Sequence, residues 1–420
     1  MEKKRLKVLW LSHLVPYPPK SGVLMRSYHL LRELARYHEI DLFAFNQSRQ
    51  LRSHFGTQHE GLSVARAHFG EFVRRFHVEP IPSESGRWGQ QWLALSSLVR
   101  SDPYTINWLK SRAARHSLAT WLSDTSYDLV HFDTISLAPY FSSLIRCPTA
   151  LDHHNIESHM MLRRASLEKS RLKRIYFQQE GIRLLRYERR HLKRFSGHIV
   201  CSEDDRLRLL EVDPNIEVKV VPNGVVMPSD PPQRRPARQP PRLLFIGGLD
   251  WYPNADAVHF LLDSIWPLIK ARIPDAQIDI IGKNPSARMR EHASLDPSVR
   301  VHGFVDDISK YYAEATVYVC PIRDGGGTKL KVIDALAHRV PLVAWPAACE
   351  GLSLRDDADA LIADTAEAFA QSTVRIVQSP ELGERLGNAG YESVRNRFDF
   401  SRIGQTLAQY YADVAKKPAR

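Results

Sequence analysis

The sequence predicts an α/β chain built as two Rossmann-like, doubly wound domains. Three observations carry that expectation. Short apolar runs alternate with helical periodicity from Leu6 to Val221, the alternation starts again at Leu243, and a proline-rich stretch separates the two series. At 420 residues the chain is also too long for one ordinary core.

Taken in order, Leu6–Ser12 reads as a buried strand, followed by a loop with Pro16, Pro18, Pro19, Ser21 and Gly22 and a helix from Val23 to Tyr37. Ile40–Asn46 is the second strand, and this βαβ opening implies a right-handed crossover and a parallel sheet. Ligands of such sheets bind at the carboxyl ends of the strands, so Gly22 and Arg26 are expected to line a cleft. Further strands are expected at Phe76–Ile81, Leu129–Phe132, Thr149–Leu151, Gly197–Cys201 and Val218–Val221. Residues 228–241, PSDPPQRRPARQPP, hold six prolines and otherwise nothing apolar larger than alanine, which predicts a semi-rigid linker. The second series runs strand Leu243–Gly247, helix Asn254 to Ala271, strand Ile278–Ile281, helix Ser286–Ala293, strand Val299–Gly303, helix Ile308–Ala315 and strand Val317–Cys320. Further helices are expected from Ala366 and Pro380. The domain limits follow as 1–227 and 242–397, with a last helix in 398–417 that carries Ile403, Leu407, Tyr410, Tyr411 and Val414 on one face.

Composition narrows the class. With 43% hydrophobic and 25% charged residues the chain reads as soluble and globular, and no apolar run approaches the ~18 residues of a membrane span. The basic start, MEKKRLKVLWLSHLVPYPP, has its apolar run broken by His13 and prolines, so it reads as a first strand and not as a signal peptide. Cys147, Cys201, Cys320 and Cys349 share no metal-ligand spacing and are expected to be reduced core residues of a cytoplasmic protein. The net charge of +11 is concentrated between Arg163 and Arg194, where twelve Lys or Arg face three Glu. That stretch reads as one long helix, burying Leu172, Ile175, Tyr176, Ile182, Leu185 and Leu192 on one face. Its basic faces fit simple solvation, an anionic membrane surface or a diphosphate-linked acceptor. Nucleic acid is not an expected partner, because no zinc-finger, helix-turn-helix or aromatic-interleaved basic signature is present.

The chemistry is expected at residues 325–345, GGGTKLKVIDALAHRVPLVAW. This reads as a glycine turn, an amphipathic helix and a short strand opened by Pro341. Glycines at Gly326 and Gly327 let the backbone approach a ligand closely, and a helix start presents unpaired N–H groups. Lys329 and Lys331 put positive charge in the first turn, which the helix dipole disfavours unless an anion sits there. A diphosphate is the expected anion, with Asp334 one turn on as acceptor for ribose hydroxyls. A glycine turn capping an ordinary surface helix is the plain alternative. A second polar cluster, LDHHNIES (Leu151–Ser158), offers Asp152, His153, His154, Asn155 and Glu157 at a strand end, either to orient an acceptor or to cap the following helix.

Four motifs then carry a resemblance: VVPNGV (Val220–Val225), LLFIGGLDWYPNADAV (Leu243–Val258), VHGFVDDISKYYAEATVYVCP (Val301–Pro321), and GGGTKLKVIDALAHRVPLVA followed by CEGL (Cys349–Leu352). In this order and spacing the chain resembles a GT-B glycosyltransferase of the large retaining family 4, in its bacterial exopolysaccharide and cell-surface glycan branch. The resemblance covers nearly the whole length. It implies an acceptor-side first domain completed by the last helix, a donor-binding second domain, and sugar transfer from a nucleotide-diphosphate sugar to a saccharide, lipid-linked or small-molecule hydroxyl. It further implies no cofactor and no metal; the lone Asp-x-Asp, Asp357–Ala358–Asp359, lies far from the phosphate motif. Donor contacts carry over to Gly248, Phe304 and Thr328. The family's paired Glu positions are Gly326 and Asp334 here, and its Arg and Lys after Gly248 are absent. The diphosphate is thereby left to Lys329, Lys331, the amides of Gly326–Thr328 and Arg323. Where relatives place a histidine near the sugar, this chain has Asp133, with His131 two residues earlier. The alternatives within the resemblance are a sugar-nucleotide epimerase of the same fold and a catalytically weak binding or scaffold subunit. The expected location is the cytoplasm, including the inner membrane face.

Overall fold

The structure, a computed structural model, describes residues 4–20, 22–84, 88–168, 170–228, 239–324 and 328–419. Most of the proline segment expected as a linker therefore lies outside the described residues, as do Gly326 and Gly327. The chain forms two compact units: Met1–Pro222 with Ile403–Arg420, and Asn223–Arg402.

The first unit is built on a seven-stranded parallel sheet in the order β3-β2-β1-β4-β5-β6-β7. Its strands are β1 (Lys7–Ser12), β2 (Glu39–Asn46), β3 (Arg75–Pro80), β4 (Leu129–Phe132), β5 (Thr149–His153), β6 (Gly197–Val200) and β7 (Val218–Val220). Sequences such as VLWL in β1 and LVHF in β4 are buried at every position, as central parallel strands covered on both faces must be. The Phe400–Val414 helix packs on this unit through Tyr411, whose hydroxyl meets His131 Nδ1, and through Tyr410, whose hydroxyl donates to the His198 carbonyl at 3.3 Å.

The second unit repeats the winding with six strands in the order β10-β9-β8-β11-β12-β13. These are β8 (Arg242–Ile246), β9 (Gln277–Ile281), β10 (Val299–His302), β11 (Val317–Cys320), β12 (Leu342–Ala344) and β13 (Leu361–Ile362), the last a two-residue strand that the sequence reading missed. Helices begin at Ala366 and Pro380 as expected, because Thr365 and Ser379 accept the N–H groups of Ala368 and Leu382. Gly282 sits against the β8 turn so closely that a Cβ there would lie 1.8 Å from the Gly247 carbonyl oxygen. Gly282→Ala is expected to destabilise the protein by about 3 kcal/mol, read as a lower denaturation midpoint.

One expectation is corrected. The basic segment is two helices, Glu157–Leu167 and Arg171–His191, and not one. They pack where Gly181 meets Leu162, so tightly that a Cβ on Gly181 would lie 2.8 Å from the leucine side chain. The expected buried face is also redistributed: Leu192 is buried, with Leu184 and Tyr187, while Leu172, Ile175 and Ile182 are exposed.

Candidate active site

Each sheet reverses its winding between its first and fourth strands, and open α/β sheets bind ligands in the crevice at the carboxyl ends beside that switch. In the first unit Asp133 stands there, directly after β4, with its N–H on the Leu11 carbonyl of β1 at 3.0 Å. Its carboxylate is wholly buried and accepts from Ser12 Oγ at 3.1 Å and Ser27 Oγ at 3.0 Å. His13 Nδ1 lies 2.7 Å from one oxygen and His154 Nε2 3.1 Å from the other. Burial pushes the Asp133 pKa up, but the His154 charge and the histidine hydrogen bonds outweigh it and hold the carboxyl well below its ordinary value. Burial likewise pushes His154 down, and the Asp133 and Asp152 charges reverse this, leaving it raised. The two groups therefore form an ion pair, and the other ring nitrogen, His154 Nδ1, is a buried atom without a hydrogen-bond partner among the described residues.

His13 and His154 line a pocket of about 310 Å³ together with Gln47, Gln90, Tyr104, Trp108, Asn155 and Glu157. Amides, a carboxylate and aromatic rings in one concavity are the groups that bind a hydroxyl-rich molecule by its edges and faces. Burial, reinforced by the charge of Glu188, raises the Glu157 pKa to about 7.

The other acceptor-side expectations divide. Asn155 lies at the pocket and is exposed, and Gly22 is exposed at the start of the Gly22–Leu34 helix. Arg26 does not line a cleft. It is buried, with Nε and Nη2 on the two Asp152 oxygens at 3.0 and 2.8 Å and Nη1 on the Val221 carbonyl at 2.8 Å. His131 is also buried, its ring 3.6 Å from that of Trp10 by centroids and its Nδ1 on Tyr411, so it braces the last helix and does not reach the pocket. Asp133 itself is wholly enclosed by protein and does not line the pocket. Ligand atoms of His131, Asp133 and Asp152 lie within 4.8 Å of one another, yet Arg26 occupies one carboxylate and serines and histidines the other. That donor set fits a guanidinium and an imidazolium better than a divalent ion, which needs free carboxylate oxygens.

In the second unit the Leu330–Ala337 helix starts beside the end of β8. Lys331 turns its amine onto Asn254 Oδ1, with the Phe245 ring centroid 5.3 Å away. Asn254 Nδ2 in turn donates to the Gly248 carbonyl at 2.8 Å. A Cβ on Gly247 would meet the Lys331 amine at 2.8 Å, so this glycine makes room for the cation. Burial lowers the Lys331 pKa to about 8, and the charge of Lys329, itself buried, adds to the lowering. Among the described residues no carboxylate pairs with Lys331. Asp334 is pushed up to about 7 by burial, and the buried hydroxyl of neighbouring Tyr312 has no partner among the described residues.

Thr328 Oγ1 lies 3.5 Å from where a Cβ on Gly351 would stand, which joins the helix start to the CEGL motif. Arg323 grips Asp256 at 2.9–3.2 Å over the Phe260 ring. Phe304 is exposed beyond β10. Gly326 and Gly327 lie outside the described residues. Asp357 and Asp359 are taken by Arg385 and Arg355. The sequence reading missed His13, Asn254, Gly247 and Tyr312; only Gly247 and Asn254, inside the IGGLDWYPN run, carried a local signal.

A parallel sheet in each unit, each with its switch point at the carboxyl ends of its strands, defines a two-domain doubly wound α/β protein. Residues 240–379 match the family model described as Glycosyl transferases group 1. The whole chain is similar in fold to sucrose-phosphate synthase from Thermosynechococcus elongatus, at TM-score 0.65 and 16% identity, covering 97% of this chain and 99% of that one. TarM of S. aureus matches at TM-score 0.67 and 10% identity over 99% of both chains. HepE of Anabaena, solved with UDP and glucose, matches at 0.61 and 14% over 97% of this chain and 100% of that one. These likenesses establish the GT-B architecture. In sequence, a 44.6 kDa protein of the cps region of Klebsiella pneumoniae is 20% identical over 253 residues, 57% of this chain and 62% of that protein. The match to the group 1 glycosyltransferase model thus lies in the second unit, and the GT-B likeness extends over both units.

Proposed function

We propose that the protein transfers a sugar from a nucleotide-diphosphate donor to a hydroxyl acceptor, with retention at the anomeric carbon and without a metal ion. The carrying observation is Lys331: a cation held at a helix start against burial, facing no carboxylate among the described residues, is a site waiting for an anion. HepE's complexes with UDP and UDP-glucose support a UDP-sugar as that donor. Asp334 and Tyr312 supply polar groups for the ribose, and the glycine turn with Lys329 and Thr328 supplies the rest of the diphosphate cradle. The sugar C1–O bond to the diphosphate breaks, the acceptor oxygen bonds to C1 on the same face, and the hydroxyl proton passes to the leaving diphosphate. Lys329 and Lys331 stabilise the charge that grows there, which is where such a site supplies most of its rate. On the acceptor side His13 and His154, both held by Asp133, line the pocket with Asn155 and Glu157. The cps-region relative supports a surface polysaccharide or related glycoconjugate as product.

The test is a screen of nucleotide diphosphates and nucleotide sugars by thermal shift, followed by release of nucleotide from the stabilising donor with and without saccharide acceptors. A ligand at about 100 times its dissociation constant adds roughly 2.7 kcal/mol of stability. Acceptor-dependent release supports transfer. Donor conversion without acceptor would show an epimerase, binding without turnover a scaffold subunit, and no nucleotide binding would sink the donor-site reading.

A further inference from the structure

The Gly89–Val99 helix, GQQWLALSSLV, carries no charge and turns its apolar side outward. Trp92 is 70%, Leu95 61% and Val99 89% exposed, a stripe at helical spacing that Trp88 extends by one more turn. Its carboxyl end is tied to the middle of the Arg171–His191 helix by Arg183, which donates to the carbonyls of Ser97 at 2.7 Å and Asp102 at 3.0 Å. Between the 101–103 segment that follows and the Arg171–His191 helix lies a groove of about 620 Å³ that includes Ile175, Ile182, Arg186 and Arg190.

The charge on that second helix is of one sign at the surface. Arg171, Lys173, Arg174, Arg186, Arg189 and Arg190 are exposed. Both of its acids are turned inward: Glu180 accepts from the Thr105 amide at 3.0 Å, and Glu188 holds the Ser158 amide at 3.2 Å. Exposed Leu172 and Ile175 stand among the cations.

The geometry points to a bilayer-docking surface on the first unit, with Trp92, Leu95 and Val99 entering the headgroup boundary and the Arg171–His191 cations facing anionic phospholipid. Tryptophan on an uncharged stripe suits the interface between water and acyl chains, and a neighbouring one-sign basic face suits the potential of an anionic leaflet. A second copy of the chain is the poorer occupant, because a self-complementary interface would set this basic face against itself. No helix of the described residues is long and apolar enough to cross a membrane, so the contact proposed is peripheral. It goes beyond the transfer reaction and does not depend on it.

The experiment is co-sedimentation of the full chain with phosphatidylcholine vesicles and with vesicles holding about one part in four phosphatidylglycerol, at low and high salt. Binding is expected to the anionic vesicles alone, and to fall as salt rises. The triple change Trp92→Ser, Leu95→Ser, Val99→Ser is expected to weaken it about tenfold or more, with an unchanged circular dichroism spectrum and thermal midpoint. Arg186→Glu with Arg190→Glu is expected to remove the anionic preference. Equal binding to neutral vesicles, no binding to either, or a folded serine variant that binds as the parent does would overturn the proposal. So would a dimer that the serine changes dissociate.

Discussion

Lys331→Met is expected to make the free protein more stable and to abolish its binding of nucleotide diphosphate. The folded protein holds this amine at a pKa of about 8 against 10.5 for the ordinary side chain, so carrying the charge at neutral pH costs roughly 3 kcal/mol. Methionine fills similar space without the charge, and part of that cost returns. Losing the hydrogen bond to Asn254 Oδ1 takes back about 1 kcal/mol, which leaves a net gain of about 1–2 kcal/mol. The sign with pH follows. Between pH 8 and 10.5 the unfolded chain keeps a proton that the folded one has released, so the parent gains stability as pH rises through this window. The advantage of the variant is therefore full below pH 8 and fades above it. Ligand affinity runs the other way: a diphosphate favours the charged amine, so parent affinity should fall above pH 8, by up to about tenfold per unit. Denaturant titrations at two pH values and calorimetry with the nucleotide that the screen selects read both effects. A destabilised variant that still binds nucleotide would remove Lys331 from the donor site.

Lys331 was legible in the sequence because its placement contradicts a local rule: two cations at a helix start oppose the dipole, and the conflict itself points to a ligand. The strands were legible for the opposite reason, since parallel strands buried on both faces read as unbroken apolar runs, as in Leu129–Phe132. Other features depend on contacts between distant residues. His13 and Asp133 are 120 positions apart and meet because Leu11 pairs with Phe132 in the β1–β4 register. Nothing near either residue announces this. Asp133 drew attention through the resemblance alone, and its burial makes it the holder of two histidines that line the pocket. The basic segment failed similarly: helical periodicity runs through 163–194 without proline, and the two helices that form pack on each other where Gly181 meets Leu162, a contact between distant residues. Leu172 and Ile175 fit a buried face by spacing and are exposed in fact, because periodicity tells which residues share a side and not what covers it.

Asp133→Asn is expected to cost about 10²–10⁴ in turnover while leaving nucleotide affinity unchanged, since Lys331 and Asp334 belong to the other unit. The amide matches the carboxylate in shape but supplies no negative charge. His154, raised because Asp133 and Asp152 oppose the effect of burial, then loses its nearer support and its pKa falls. An imidazolium at the pocket wall is present only below its pKa, so activity is lost as pH rises through that value. The alkaline limb of the pH–rate profile should therefore move to lower pH in the variant, a displacement that mere loosening of the fold would not produce. Stability changes in the same sense: a raised histidine pKa stabilises the folded state below the ordinary value of 6.5, and the gain disappears as pH rises through the folded one. The variant lacks that gain, so it should lose most stability relative to the parent in acid, above the pH at which Asp133 itself takes up a proton. His154→Gln, which keeps a donor without titrating, is expected to retain more turnover than His154→Ala and to flatten the alkaline limb. Should Asp133→Asn keep the parental pH profile and rate, Asp133 would be a structural brace like Arg26, and the substrate-facing role of His13 and His154 would fall with it.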